Sequence, residues 1–211
     1  MELLKNLGYT ATILLIINTI LYIKALRNGG KAFKIFTLYL ILILIIEILS
    51  KIIGPFLHYN NIYLSNIFLI VQFSMLSIFY KVLLDKKWIY YIGVAVLAFL
   101  AIQYLTNLDL FTKYNALGIS LTQSILITYS IMYFYNSLQR KEPKFLIVNI
   151  GVFLYLICST LIFASGNLVF NIEIPTETYI LLLKLNAFLY IIFQILIFTE
   201  WRKNYYKKIH K

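Results

Sequence analysis

Residues 31–55 read KAFKIFTLYLILILIIEILSKIIGP. From Ile35 to Ile46 the run is apolar on every face, interrupted only by the hydroxyls of Thr37 and Tyr39. It has neither the alternation of a half-buried strand nor the single stripe of a surface helix. Its length, about 20 residues, matches the hydrocarbon thickness of a bilayer. Only an internally hydrogen-bonded helix crosses there without stranding backbone polar groups. Lys31 and Lys34 stand at its start, and Gly54–Pro55 ends it. Two charges, Glu47 and Lys51, sit one turn apart in its last third.

Six more such runs lie around this one. The expected spans are residues 8–26, 34–54, 62–83, 88–105, 111–135, 145–164 and 178–201. The fold class follows: all-α, a polytopic seven-transmembrane-helix bundle, with residues 1–211 forming one domain. Composition agrees. The chain is 62% hydrophobic and 13% charged, where a soluble domain is about 25% charged.

The charges between the runs alternate. The first connection carries Lys24, Arg27, Lys31 and Lys34 and no acid. The third carries Lys81, Lys86 and Lys87 against Asp85. The fifth carries Arg140, Lys141 and Lys144 against Glu142. The tail carries Arg202, Lys203, Lys207, Lys208 and Lys211 against Glu200. The second connection has only His58. The fourth has Asp109 and Lys113, and the sixth has Glu173 and Glu177 with no base. The positive-inside rule then predicts an N-terminus outside and a C-terminus in the cytoplasm. Richness in Ile, Lys, Asn and Tyr suggests an AT-rich bacterial genome, hence a bacterial cytoplasmic (inner) membrane. Tyr59, Tyr63, Tyr80, Trp88, Tyr90, Tyr91, Tyr104, Tyr133, Tyr135, Tyr179, Trp201 and Tyr205 cluster near span ends, at headgroup level.

The same distribution disposes of nucleic acid as a partner. The net charge of +11 is what cytoplasmic loops require, and membrane lipids are the expected neighbours. Cys158 is alone and mid-span, so no disulfide is expected within the chain. No cleavable signal peptide is expected, because the first run is full membrane length and is followed by bases. His58 and His210 lie outside the spans, which removes a His-ligated intramembrane metal. No span contains an aspartate, and no G-x-S-x-G, P-loop, GxGxxG or CxxC occurs. No cofactor is implied, and no catalytic group stands out. The spans have no internal proline, and Gly93, Gly118 and Gly151 lie towards span ends, unlike the broken helices of transporters.

An ionisable residue deep in a span is costly and by default a functional candidate. Glu47, Lys51 and Lys184 qualify. At about 1.5 Å per residue, Glu47 and Lys184 lie roughly 10 Å below the outer surface, where an ion pair becomes possible if helices two and seven touch. The plainer alternative is that Lys51 and Lys184 snorkel to the surface and Glu47 is satisfied by Lys51. Uncharged polar residues form a second layer: Asn18, Thr19, Asn66, Gln72, Ser74, Ser77, Gln123, Ser124, Thr128, Asn149, Ser159, Thr160, Asn186 and Gln194. Most are expected to hydrogen-bond between helices. With Glu47, Lys51 and Lys184, Gln72 and Asn186 form the candidate polar site. Ser120, Ser124 and Thr128 recur every fourth residue, which predicts a close-packed face on the fifth helix.

The stretches NIFLIVQFSMLSIFY (66–80), NIGVFLYLICSTLIF (149–163) and LNAFLYIIFQILIFTEW (185–201) resemble those of small seven-helix membrane proteins of Bacteroidetes-type bacteria. They are similar to stand-alone seven-transmembrane sensory modules. The resemblance implies a receptor-like or accessory signalling protein rather than an enzyme, with a lipid-modifying intramembrane enzyme that uses Glu47 as general base as a third reading. Such a protein senses a small or lipophilic ligand and acts through a separate cytoplasmic signalling partner. The alternative is a small permease or lipid-handling protein that uses the intramembrane Glu/Lys pair. Lys184 also stands on the helix that carries the retinal lysine in microbial rhodopsins. Ile180 one turn earlier, and a third span without an acid, leave no counter-ion for it.

Overall fold

Ile is abundant in the runs and in water would weaken a helix. Away from water the backbone has no partner but itself, and the helix wins. The computed structural model is all-α accordingly. It describes residues 2–112, 115–141, 143–171 and 176–204, and for 28, 55, 56, 163–171, 176, 178 and 179 the backbone alone. Lys113, Glu142, Glu173, Pro175, Tyr205, Lys207, Lys208, His210 and Lys211, named above, lie outside the described residues.

Among the described residues there are seven α-helices. They are α1 (Glu2–Lys24), α2 (Lys31–Lys51), α3 (Ile62–Leu84), α4 (Trp88–Thr106), α5 (Ala116–Ser137), α6 (Leu146–Asn171) and α7 (Thr176–Asn204). Six of them, with α7 taken from Ile180, are long and apolar enough to cross a membrane. The described apolar part of α6, Leu146–Ile162, is shorter. The protein is a multi-pass helical membrane protein.

Packing closes a ring of six helices in the order α1, α2, α3, α5, α6, α7 and back to α1. α4 stands outside the ring, against α3. Its buried residues Ile89, Gly93, Val96, Leu100 and Tyr104 form one stripe, while Tyr91, Val94, Ile102 and Leu105 are exposed. A helix packed along one side, mainly on α3 with Trp88 reaching Tyr129 of α5, and with lipid on the other side has that pattern. Exposed Ile13, Ile17, Ile20, Ile45 and Ile67 clothe the ring in the same way.

Contacts between helix ends gather the basic connections at one end of the bundle. Tyr22 of α1 stacks on Phe33 of α2 at 5.0 Å, and Phe36 meets Phe79 of α3 at 5.2 Å. Phe79 meets Phe145, just before α6, at 5.2 Å. The Trp201 indole of α7 donates to the Leu21 carbonyl of α1 at 3.1 Å. These rings are buried and fill the bundle at what we call the basic end.

Two expectations about α5 need correction. The helix starts at Ala116, not at 111, because Leu108–Phe111 forms a 3-10 turn and the Asn115 side chain caps α5 by accepting from Gly118 N at 2.8 Å. Ser124 and Thr128 do not make the packed face; they are exposed. The buried face is instead Gly118, Thr122, Gln123, Leu126, Tyr129, Ser130 and Tyr133. A four-residue recurrence drawn from small residues alone overlooked the larger polar residues that bond between helices.

Candidate functional site

The two charges of α2 turn towards α1. One turn apart, Glu47 and Lys51 form an ion pair at 3.6 Å. Opposite them Gly8 and Thr12 are also one turn apart. Thr12 Oγ1 lies 2.9 Å from the Gly8 carbonyl and 3.0 Å from Glu47 Oε1. Lys51 Nζ donates to the Gly8 carbonyl at 3.0 Å and to the Thr12 hydroxyl, and it lies 4.9 Å from the Tyr9 ring centroid. The lysine is therefore held by a carboxylate, a hydroxyl, a carbonyl and a ring face. The pair is not deeply buried, with side chains 29% and 31% exposed.

α1 packs against both α2 and α7 and so stands between them. Lys51 is the ion-pair partner of Glu47 among the described residues. Half-buried Lys184 makes no hydrogen bond or ion pair with a described residue. Of the five candidate residues, the structure brings Glu47 and Lys51 into direct contact and leaves Lys184 apart. Gln72, buried on α3, reaches the Tyr39 hydroxyl of α2. Asn186 of α7 lies beside the Tyr155 hydroxyl of α6.

These last two residues belong to a polar interior that the candidate list covered only in part. Tyr155 faces Ser159 and Asn186, and Tyr190 faces Gln194. Both tyrosines lie within electrostatic range of the Glu47 carboxylate, and Tyr39 is within that range of both. Tyr155 stacks on Phe193 at 5.6 Å and meets Tyr190 at 5.4 Å. Asn18 of α1 donates to the Gln194 carbonyl at 2.8 Å and to Gln194 Oε1 at 2.9 Å. Tyr39, Tyr155 and Tyr190 were missed because tyrosine was read as a headgroup anchor. A tyrosine far from either span end needs a buried partner for its hydroxyl, and that signal was present.

Buried polar groups are nearly always paired, and exceptions call for an explanation. Among the described residues Asn18 Oδ1 has no hydrogen-bond partner, while Ser159 and Asn186 lie within hydrogen-bond reach of the Tyr155 hydroxyl. Ser77 Oγ and the Tyr129 hydroxyl are likewise without a described partner, and much of the remaining second layer is glue. Tyr80 and Ser130 both donate to Asn149 Oδ1, at 2.7 and 3.0 Å, joining α3, α5 and α6. Thr160 donates to Gln123 at 2.7 Å, and Asn66 to the Leu110 carbonyl at 2.8 Å.

The basic end is closed differently. Glu200, counted above with the tail charges, is buried with 1% exposed. Its Oε1 accepts from Phe145 N at 2.8 Å and its Oε2 from Ile147 N at 3.0 Å, and Asn204 donates to the same carboxylate. The carboxylate of α7 thus caps the N-terminus of α6, where exposed N–H groups and the helix dipole favour an anion. The sequence held two signs of this. No Ser, Thr, Asp or Asn stands at 143–145 to cap α6, and an acid near the end of α7 opposes its own dipole. Phe145 takes a left-handed conformation, φ 64°. No protein-family model, curated protein or solved structure matches the chain.

Proposed function

We propose that this protein is a receptor-like or accessory signalling component of a bacterial cytoplasmic membrane. Its N-terminus lies outside, seven helices span the bilayer, and the basic end faces the cytoplasm, as charge alternation favours. It senses a small or lipophilic ligand in the half of the bundle away from the basic end. It acts through a separate cytoplasmic partner, or through anionic lipid, on its basic face.

The observation that carries this reading is the asymmetry of the ring interior. Away from the basic end lie Glu47, Tyr155, Ser159, Asn186 and Tyr190, a cluster of ionisable and hydrogen-bonding groups. At the basic end, Tyr22, Phe33, Phe36, Phe79 and Phe145 pack ring against ring. A permease needs a polar route from one face to the other; here the rings close the basic end, and polar groups beside them are spent on one another, Tyr22 on the Ile197 carbonyl and Tyr80 and Ser130 on Asn149.

Single cysteines in a Cys158→Ser background test it. A membrane-impermeant thiol reagent is expected to label K51C and N186C, at partly exposed positions, from the N-terminal side alone, and F36C and F79C, at fully buried ones, from neither side. Labelling of N186C from both sides would replace sensing with transport.

A further inference from the structure

The basic end carries charge that the chain itself does not neutralise. Among the described residues every Lys and Arg there is exposed except half-buried Lys81, and none of them forms an ion pair. Asp85 is the exposed acid of this end among the described residues. Glu200, the other described acid, is buried and spent on the α6 backbone. Like charges gathered at one end repel across a screening length of about 8–10 Å, so a counter-charge from outside stabilises the bundle. Topology accounts for the bases but not for the want of acids, because the positive-inside rule counts Lys and Arg and gives Asp and Glu little weight.

The placement of the bases chooses the counter-charge. They come from three connections and from the end of α7, and so stand on every side of the ring. Two of those connections are very short. The one from α3 to α4 is Asp85, Lys86 and Lys87 alone, and the one from α1 to α2 runs from Ala25 to Gly30. Chain this short keeps its bases at headgroup level and lifts no surface clear of the bilayer for a folded partner to cover. An acidic protein would meet one patch of such a perimeter, whereas a leaflet meets all of it.

The corner between α3 and α4 concentrates these features. α4 stands outside the ring, so lipid has open access to it. Lys81 of α3 lies 5.0 Å from the Tyr90 ring centroid of α4, and Trp88 and Tyr90 are both exposed. Exposed Trp and Tyr beside lysine are what the headgroup layer favours. No side chain caps α4, and no acid stands in its first turn. An anion drawn in by Lys86 and Lys87 therefore also meets unpaired backbone N–H groups.

We propose that the basic end is a binding surface for anionic phospholipid headgroups, and that the α3–α4 corner holds their phosphate most tightly. Lys81, Lys86 and Lys87 supply the charge, and Trp88 and Tyr90 fix the depth. This rests on the reading that the basic end lies at a membrane surface, and it names what that surface meets.

The test uses the full chain in phosphatidylcholine nanodiscs. Increasing fractions of lipid brominated close to the glycerol are added, either as phosphatidylglycerol or as phosphatidylcholine. Bromine quenches tryptophan at contact, and Trp88 sits in the corner; Trp88→Phe gives the share of the signal that comes from buried Trp201. Phosphatidylglycerol is expected to quench Trp88 with an apparent affinity about fivefold above that of phosphatidylcholine. Lys86→Gln combined with Lys87→Gln, at exposed positions, is expected to bring the two lipids to within about twofold of each other. Lys5→Gln, exposed at the opposite end, is expected to leave the preference unchanged. Equal quenching by the two lipids, or a preference that the Lys86 and Lys87 substitutions do not move, overturns the proposal. Binding of soluble polyglutamate to the protein, with the two lipids quenching alike, would overturn it in favour of an acidic protein. Thiol labelling keeps the two claims apart. One-sided labelling of N186C without a lipid preference leaves sensing standing and removes the lipid surface, and two-sided labelling with a lipid preference does the reverse.

Discussion

Glu200→Gln isolates the closure of the basic end. The side chain keeps its size and one oxygen, but the second oxygen becomes an NH2 group. Each carboxylate oxygen now accepts one backbone N–H, from Phe145 at 2.8 Å and Ile147 at 3.0 Å. The amide satisfies one of these and points a donor at the other. Loss of a hydrogen bond to a charged acceptor costs about 1.5–3 kcal/mol, and a buried donor left unmade adds to it. The charge at the α6 N-terminus is lost too, worth up to ~2 kcal/mol in a buried geometry. With partial relaxation, a loss of about 2–4 kcal/mol is expected. The assay is equilibrium unfolding in mixed micelles by SDS titration, followed by tryptophan emission. Trp201 is next to Glu200 in sequence, and its indole is bonded to Leu21, so its emission reports on the α1–α7 contact. Asp85→Asn, at an exposed site, is the control. A Glu200→Gln midpoint equal to that of Asp85→Asn would refute the capping argument, because the donors at 145 and 147 would then have other acceptors.

Three further outcomes follow from the geometry. Gly151→Ala places a Cβ 2.7 Å from the Phe193 ring and 3.3 Å from Leu196; the ring is backed by Tyr155, so a loss of about 1–3 kcal/mol is expected in the same unfolding titration. Ser77→Ala removes a buried hydroxyl that has no partner among the described residues, so it is expected to be neutral or stabilising by up to ~1 kcal/mol, whereas Thr160→Ala breaks the Gln123 bond and costs about 1 kcal/mol; the opposite ranking would show that Ser77 is satisfied. A double-mutant cycle of Glu47→Gln with Lys51→Met is expected to give a coupling below about 1 kcal/mol, since the pair is about a third exposed and screened; a coupling of several kcal/mol would place it in a drier setting.

How much of this was legible depends on what kind of signal each residue carries. The helices and the gathering of basic connections at one end follow from run length and from Lys and Arg placement, which are local properties. That α4 stands outside the ring is not local. Its sequence is as apolar as that of its neighbours, and its single buried stripe appears only once packing is known. The pairing of Glu47 with Lys51 could be read from their spacing of four. The part of Thr12 and Gly8 in holding that pair depends on how α1 crosses α2, which no spacing encodes. Glu200 shows the cost of counting charges without asking what each one caps. It entered the positive-inside tally as a tail residue, although the uncapped start of α6 lay in plain view in the same sequence.

The closed end holds a strained residue. A left-handed conformation at a non-glycine residue costs about 1–2 kcal/mol, and Phe145 adopts it beside the α6 N-terminus. Two interactions offset that cost: the Glu200 bond to its N–H, and its ring buried among Phe33, Phe36 and Phe79. These draw on α7, α2 and α3, so the start of α6 holds its shape only while three other helices keep their places. The same α6 carries Tyr155 and Ser159 three to four turns further along. One rigid helix therefore joins the polar interior to the strained closure. The connection before it, with Arg140, Lys141 and Lys144, is tied down by the Tyr133 hydroxyl at the Lys144 carbonyl. The sensing role proposed above needs one element that joins the polar interior to the basic face, and α6 is the helix that spans both.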